Sequence, residues 1–328
     1  MASPAPSSLS SLSDYPADDG AVDIEDEAAM LDDLKAAYAR GTPLFKKSAL
    51  AAAAHALSAN EPSVELEDVH GALRRHDVQY TLGSATPHIP LIHYNSYEAL
   101  TNLAPYEHAA RPDPLTIHWR AELSPPTCTL AAMEAAFQRH AAAWAAQSKR
   151  TTPSLTQLVA AARPQLGQCK VLCLGLGSPA RSLNGAGSSD RGARNAEARC
   201  YTQHAAVLDI ARALEAGAGP ASSEAGGRVR VLAQDPLYSE LDGEFLAGLG
   251  FEVVDDPQGF LELDDNSFVV SVACNVPQKQ IVADLARPVA MLWDEVKGEE
   301  DDEKRWEKRP DDMWIAYVAL CAGCLRER

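Results

Sequence analysis

The sequence predicts an α/β protein: a Rossmann-like, doubly wound parallel sheet with a helical N-terminal region packed on it. Three observations predict this. Short, almost wholly apolar runs recur between residues 165 and 296: "KVLCLGLG", "RVRVLAQDP", "SFVVSVA" and "RPVAMLWD". Helical patterns of period 3.6 separate most of them. A glycine turn closes the first. Apolar strands alternating with helices mean a parallel sheet covered on both faces, with right-handed crossovers.

Along the chain, residues 1–25 are rich in Ser, Pro, Ala and Asp. They carry too little apolar surface to offset ordering entropy, so disorder is expected. Residues 26–164 read as the helical region. Leu31, Leu34 and Tyr38 mark a first helix that Gly41 can end. Leu50, Ala54 and Leu57 mark a second. The stretches 80–100 and 115–123 look extended. A helix over 130–144 places Leu130, Met133, Phe137 and Trp144 on one stripe, and a short helix follows over 155–162.

The α/β domain is expected over 165–296. Strand 170–174 is placed at its centre, with 229–233 and 268–272 as neighbours. Val207, Ile210, Ala211 and Leu214 define a helix that begins near Cys200 and stops at Gly217. In "SELDGEFLAGLG", Ser239 is the N-cap, Asp242 sits in the first turn and Gly250 ends the helix. "FEVVDD" and "GFLELDD" read as short strands. Asn275 can cap the helix of "NVPQKQIVADLA", where Pro277 is tolerated in the first turn. Residues 297–328 read as a charged loop followed by a short apolar docking helix.

Composition narrows the function. The net charge is −17 and the pI about 4.9. Direct binding to nucleic acid or anionic membrane needs a basic face, so both are excluded as general modes. No run is long and apolar enough to span a bilayer, and the N-terminus lacks the features of a secretory signal. The chain reads as intracellular, and its seven cysteines as thiols.

Gly175, Gly177 and Ala180 fit G-x-G-x-x-[GA] after a strand. Such a turn lets the backbone approach a phosphate at a helix N-terminus. A small nucleotide-like ligand would lie over Gly175 and Gly177. Ser178 would add N–H and hydroxyl groups, and Asp235 and Asn275 would line the rim at strand ends. Equally, the glycines simply make the turn and Asp235 opens the next loop. Arg181, Arg191, Arg194 and Arg199 fall in an inserted stretch over about 181–197. It reads as a solvated, disordered loop, or as a reach toward a phosphate. Cys321 and Cys324 have metal or redox spacing, but one pair is half a zinc site, and two buried thiols are the simpler reading. His204, near the crevice, reads as structural. No catalytic triad, paired carboxylates or HExxH pattern stands out, so neither a reaction nor a cofactor is readable.

"VLCLGLGSPA", "VLAQDPLYSELDGEFLAGLGFEVV", "SFVVSVACNVPQKQIVADLARPVAMLWDEV" and the upstream "GTPLFKKSAL" together resemble the Sensitivity to Red light Reduced family, the SRR-like domain proteins, in its fungal form. The resemblance implies a Rossmann-like domain without an established reaction. It implies links to circadian rhythm, light signalling, stress responses and, for some members, haem metabolism. It also implies a cytoplasmic or nuclear protein with protein partners not yet identified. "CNVPQKQ" stands where a Pro-His-Cys stretch is typical. No Cys-Pro dipeptide occurs, so a haem-regulatory motif of that kind is not supported. The alternative is a nucleotide- or S-adenosylmethionine-dependent enzyme using Gly175, Gly177 and Asp235.

Overall fold

The structure is a computed structural model. It describes residues 24–80, 86–101, 112–162, 169–184, 191–215, 229–272, 274–293 and 317–320. The N-terminal region supplies helices α1 (Ile24–Ala39), α2 (Lys47–Ser58), α3 (Tyr97–Thr101) and α4 (Leu130–Ala162), and strands β1 (Ser63–Glu67), β2 (Leu73–Asp77), β3 (His88–Tyr94) and β4 (Leu115–Ala121). Strands β1 and β2 pair antiparallel, as do β3 and β4. The rest follows as β5 (Lys170–Leu174), α5 (Pro179–Asn184), α6 (Arg191–Glu215), β6 (Val231–Gln234), α7 (Glu240–Leu249), β7 (Glu252–Val253), α8 (Gln258–Leu261), β8 (Ser267–Ser271), α9 (Gln278–Leu285), β9 (Ala290–Trp293) and β10 (Tyr317–Leu320).

The main sheet runs β10-β9-β8-β5-β6-β7. Strands β9, β8, β5, β6 and β7 are parallel, and β10 adds an antiparallel edge. As expected, β5 lies between β6 and β8. Its side chains alternate between two cores, as the pleat requires. Val171 and Cys173 join Met133, Phe137, Tyr201, Ile210 and Phe245, from α4, α6 and α7. Leu172 and Leu174 join Leu50, Ile92, Tyr94, Phe260 and Ile281, from α2, β3, α8 and α9.

The chain upstream of α4 is therefore part of the second face. Polar bonds pin it there. Leu44 and Phe45 donate backbone N–H groups to Asp284 Oδ2 at 2.9 and 3.1 Å. Tyr97 N–H donates to Gln280 Oε1 at 3.0 Å.

Several sequence expectations stand. Gly41 turns the chain after α1 with φ 78°. Ser239 and Asp242 form a reciprocal capping box, and Gly250 ends α7 at φ 94°.

Others are corrected. The helix after the glycine turn starts at Pro179, not near Cys200, because proline suits a first helical position where its missing N–H is not needed. Arg181 is thus on α5, and Arg191, Arg194 and Arg199 are on α6. A single α4 runs through Pro153 with no break before Leu155, held by alanine-rich sequence of high helix propensity. "GFLELDD" gives the helical turn α8, not a strand. The expected C-terminal helix holds β10 instead; Tyr and Val there favour a strand, and the open edge of β9 offers ladder partners. Asn275 does not cap α9, whose N-cap is Pro277 with no side-chain bond. Residues 1–23, the Gly217 stop, and Cys321 and Cys324 lie outside the described residues.

Candidate functional site

The C-terminal ends of β5, β6 and β8 form the edge of the sheet where a crevice is expected, since a parallel sheet presents loops and helix N-termini there. Gly175 and Gly177 both take left-handed backbone, at φ 71° and 81°, which suits glycine. The neighbour of Gly175 is not open space. A Cβ there would lie 2.6 Å from Cys274 Sγ. The glycine therefore makes room for Cys274, which follows β8.

Several of the loop's donors are already engaged. Gly177 N–H donates to Asp235 Oδ2 at 2.7 Å. Asp235 Oδ1 accepts from Leu237 N–H at 2.9 Å. Ser178 Oγ donates to Asp242 Oδ2 at 2.7 Å, and Ala180 N–H donates to Asp242 Oδ1 at 2.8 Å. Ser178 Oγ in turn accepts from Arg181 N–H at 3.1 Å. Asp242 is fully buried and also accepts from Ser239 N–H and Oγ at 2.8 and 2.7 Å. One carboxylate thus caps α7 and grips the N-terminus of α5. It occupies the position that a ligand's anion would take in a phosphate-binding turn. Burial raises the pKa of Asp235, while the Leu237 and Gly177 N–H groups oppose the rise.

Of the sequence candidates, the fold joins Gly177 to Asp235 directly and holds Ser178 beside them through Asp242. Asn275 is exposed beyond Cys274. His204 is buried. Its ring meets the Cys200 carbonyl at 2.8 Å and Tyr238 OH at 3.2 Å, and burial pushes its pKa down to about 4.

Sequence reasoning missed a second polar group. Asp256, just after β7, accepts on Oδ1 from Tyr94 OH and Gln234 Nε2, both at 2.7 Å. Gln234 Oε1 accepts from Gly259 N–H at 2.6 Å. Burial raises Asp256 to about 6, against the Tyr94 hydrogen bond. Burial first, then the Asp256 charge, pushes Tyr94 well above its ordinary value. Polar residues just past apolar strands were the available signal for Gln234 and Asp256. Nothing local could reveal Tyr94, 162 positions away, or the reach of Asp242 to Ser178. Among the described residues, no group of three or more His, Cys, Asp or Glu could hold a metal ion. No described helix is long and apolar enough to cross a membrane.

Fold and site together define a class: an α/β protein with a five-stranded parallel sheet, whose glycine turn is held by its own carboxylates. The chain belongs to the SRR1 domain family, whose model matches residues 137–320, more than half of the chain. The match runs from within α4 to the end of β10 and includes both carboxylates that hold the turn. The family suggests a regulatory role. Comparison with curated proteins and with solved structures gives no match.

Proposed function

We propose that this protein is a regulator that acts by binding protein partners, with no defined reaction. Its sheet is, in this reading, Rossmann-like and doubly wound. The strand order with β5 between β6 and β8, and the helices on both faces, support that. By family resemblance its role falls in circadian rhythm, light signalling or stress response, in the cytoplasm or nucleus.

One observation carries the reading. The N–H groups of Gly177 and Ala180, and the hydroxyl of Ser178, are given to Asp235 and Asp242. The competing reading places a nucleotide-like ligand over Gly175, Gly177 and Ser178, with Asp235 and Asn275 at the rim. Such a ligand's phosphate would have to displace two carboxylates from within the protein.

The test is a thermal-shift titration of the full chain with NAD, ATP and S-adenosylmethionine. A ligand at 100 times its dissociation constant adds roughly 2.7 kcal/mol of stability. We expect no rise in Tm that depends on the turn. A rise abolished by Gly177→Val or by the near-isosteric Asp235→Asn, but kept when Arg120 and Arg181, which bond the loop after β6, are substituted, would reverse the assignment in favour of a nucleotide site.

A further inference from the structure

Two guanidinium groups stand together at the rim of the crevice. Arg120 comes from β4 and Arg181 from α5. Arg120 Nη2 donates to the Pro236 carbonyl at 3.1 Å. Arg181 Nε donates to the Leu237 carbonyl at 3.2 Å, and its Nη1 to the Ser124 carbonyl at 3.2 Å. Consecutive carbonyls of the loop after β6 thus hold the two side chains side by side. Neither forms an ion pair with a carboxylate among the described residues. In a chain of net charge −17, two adjacent arginines without a carboxylate partner stand out.

The pair is also incompletely satisfied. Arg120 Nε is buried and has no hydrogen-bond partner among the described residues. A buried donor left unpaired carries its full desolvation penalty. Burial disfavours the Arg120 charge first, and the neighbouring Arg181 charge disfavours it further. Asp235 acts the other way. Asp235 acts on Arg120 only at a distance and forms no ion pair with either arginine among the described residues, since its two oxygens accept from Gly177 and Leu237 N–H. What remains is positive charge, free guanidinium donors and a buried N–H, from two elements on one rim. Planar guanidinium forks suit oxyanions, which they bind with short, charge-assisted hydrogen bonds.

We propose that Arg120 and Arg181 form a binding site for an oxyanionic group, a phosphate or carboxylate, at the crevice rim. The site is separate from the glycine turn. It does not depend on whether the turn takes a nucleotide.

The experiment titrates the full chain with inorganic phosphate and, separately, with citrate, at constant ionic strength. Calorimetry and thermal shift report binding. Variants are Arg120→Gln, Arg181→Gln and the charge-retaining Arg181→Lys, with Arg230→Gln as a control far from the crevice. We expect saturable binding of at least one anion. Saturation by phosphate alone identifies a phosphate ligand, and saturation by citrate alone a carboxylate ligand. Each Gln substitution should weaken binding by about tenfold to a hundredfold, the scale of one charge-assisted hydrogen bond. Arg181→Lys should fall between, and Arg230→Gln should match the wild type. Circular dichroism checks that each variant is folded; if Arg120→Gln is not, Arg181 carries the test. No saturable binding of either anion would overturn the proposal. So would binding that Arg181→Gln leaves unchanged.

Discussion

The two faces of the parallel sheet keep their buried polar groups in different ways. Under α4, α6 and α7, the polar groups meet around Asp242 and His204, all within the family's matched span. Under α2, α8 and α9, Asp256 and Gln234 depend on Tyr94, which the upstream hairpin brings in. The first face is closed by the sheet's own crossovers with α4. The second is closed by α8 and α9 together with chain that folds back from outside that span. The difference teaches where the domain ends in physical terms: removing the upstream residues would uncover much of one face and leave only α8 and α9 on it, not trim a tail.

The largest break in this comparison should come from Asp242→Ala. It leaves Ser178, Ala180 and Ser239 donors unpaired in a dry site, and we expect a loss of about 3–4 kcal/mol. Urea denaturation measures it. A loss below about 1 kcal/mol would mean that the network is not holding the turn.

The faces also differ in the sign of their pH dependence. His204 is held neutral, at about 4 against an ordinary 6.5. The stability it contributes is full above 6.5 and is lost as pH falls through about 4, roughly 3 kcal/mol in all. In His204→Gln the fall in stability between pH 6.5 and 4 should flatten by that amount. Asp256 is raised to about 6 from 3.8. Its contribution is full below 3.8 and is lost as pH rises through about 6. Asp256→Asn should therefore be more stable than wild type at pH 7 by roughly 3 kcal/mol, with the gain gone by pH 4. Denaturation at a series of pH values checks both. A gain that persists at pH 4 would show that packing, not charge, is responsible.

The smallest effect sharpens the second face alone. Tyr94→Phe removes one hydrogen bond to Asp256 and should lower stability by about 1–2 kcal/mol. In the Asp256→Asn background the loss should shrink, since the charge that strengthens the bond is gone. Equal losses in both backgrounds would show that the pair is not coupled.

The sheet was legible because its strands announce themselves as apolar runs: 170–174, 231–234, 267–271 and 290–293 all lie where the pattern put them. Local chemistry was legible too, as at Ser239, Asp242 and Gly250. What could not be read was long-range. Asp242 read as a first-turn residue of its own helix and is also the anchor of α5. Pro179, inside the G-x-G-x-x-[GA] stretch, is the first residue of a helix. Arg120 sits in an extended stretch with no motif around it, and only the fold sets it beside Arg181. Strands β1 and β2 escaped because "SVELE" and "LRRHD" are largely polar, with Leu73 63% exposed.

The central claim is that the glycine turn is closed from within by Asp235 and Asp242. Amide hydrogen exchange of the ligand-free protein tests it at the two atoms concerned. Gly177 and Ala180 N–H groups should exchange slowly, close to the amides of β5, because each is bonded to a partly or fully buried carboxylate. In Asp242→Ala, Ala180 should speed up, whereas Gly177, whose partner is Asp235, should change less. Exchange of both amides at the rate of an open loop in the wild type would contradict the claim, and would leave those donors free for a ligand.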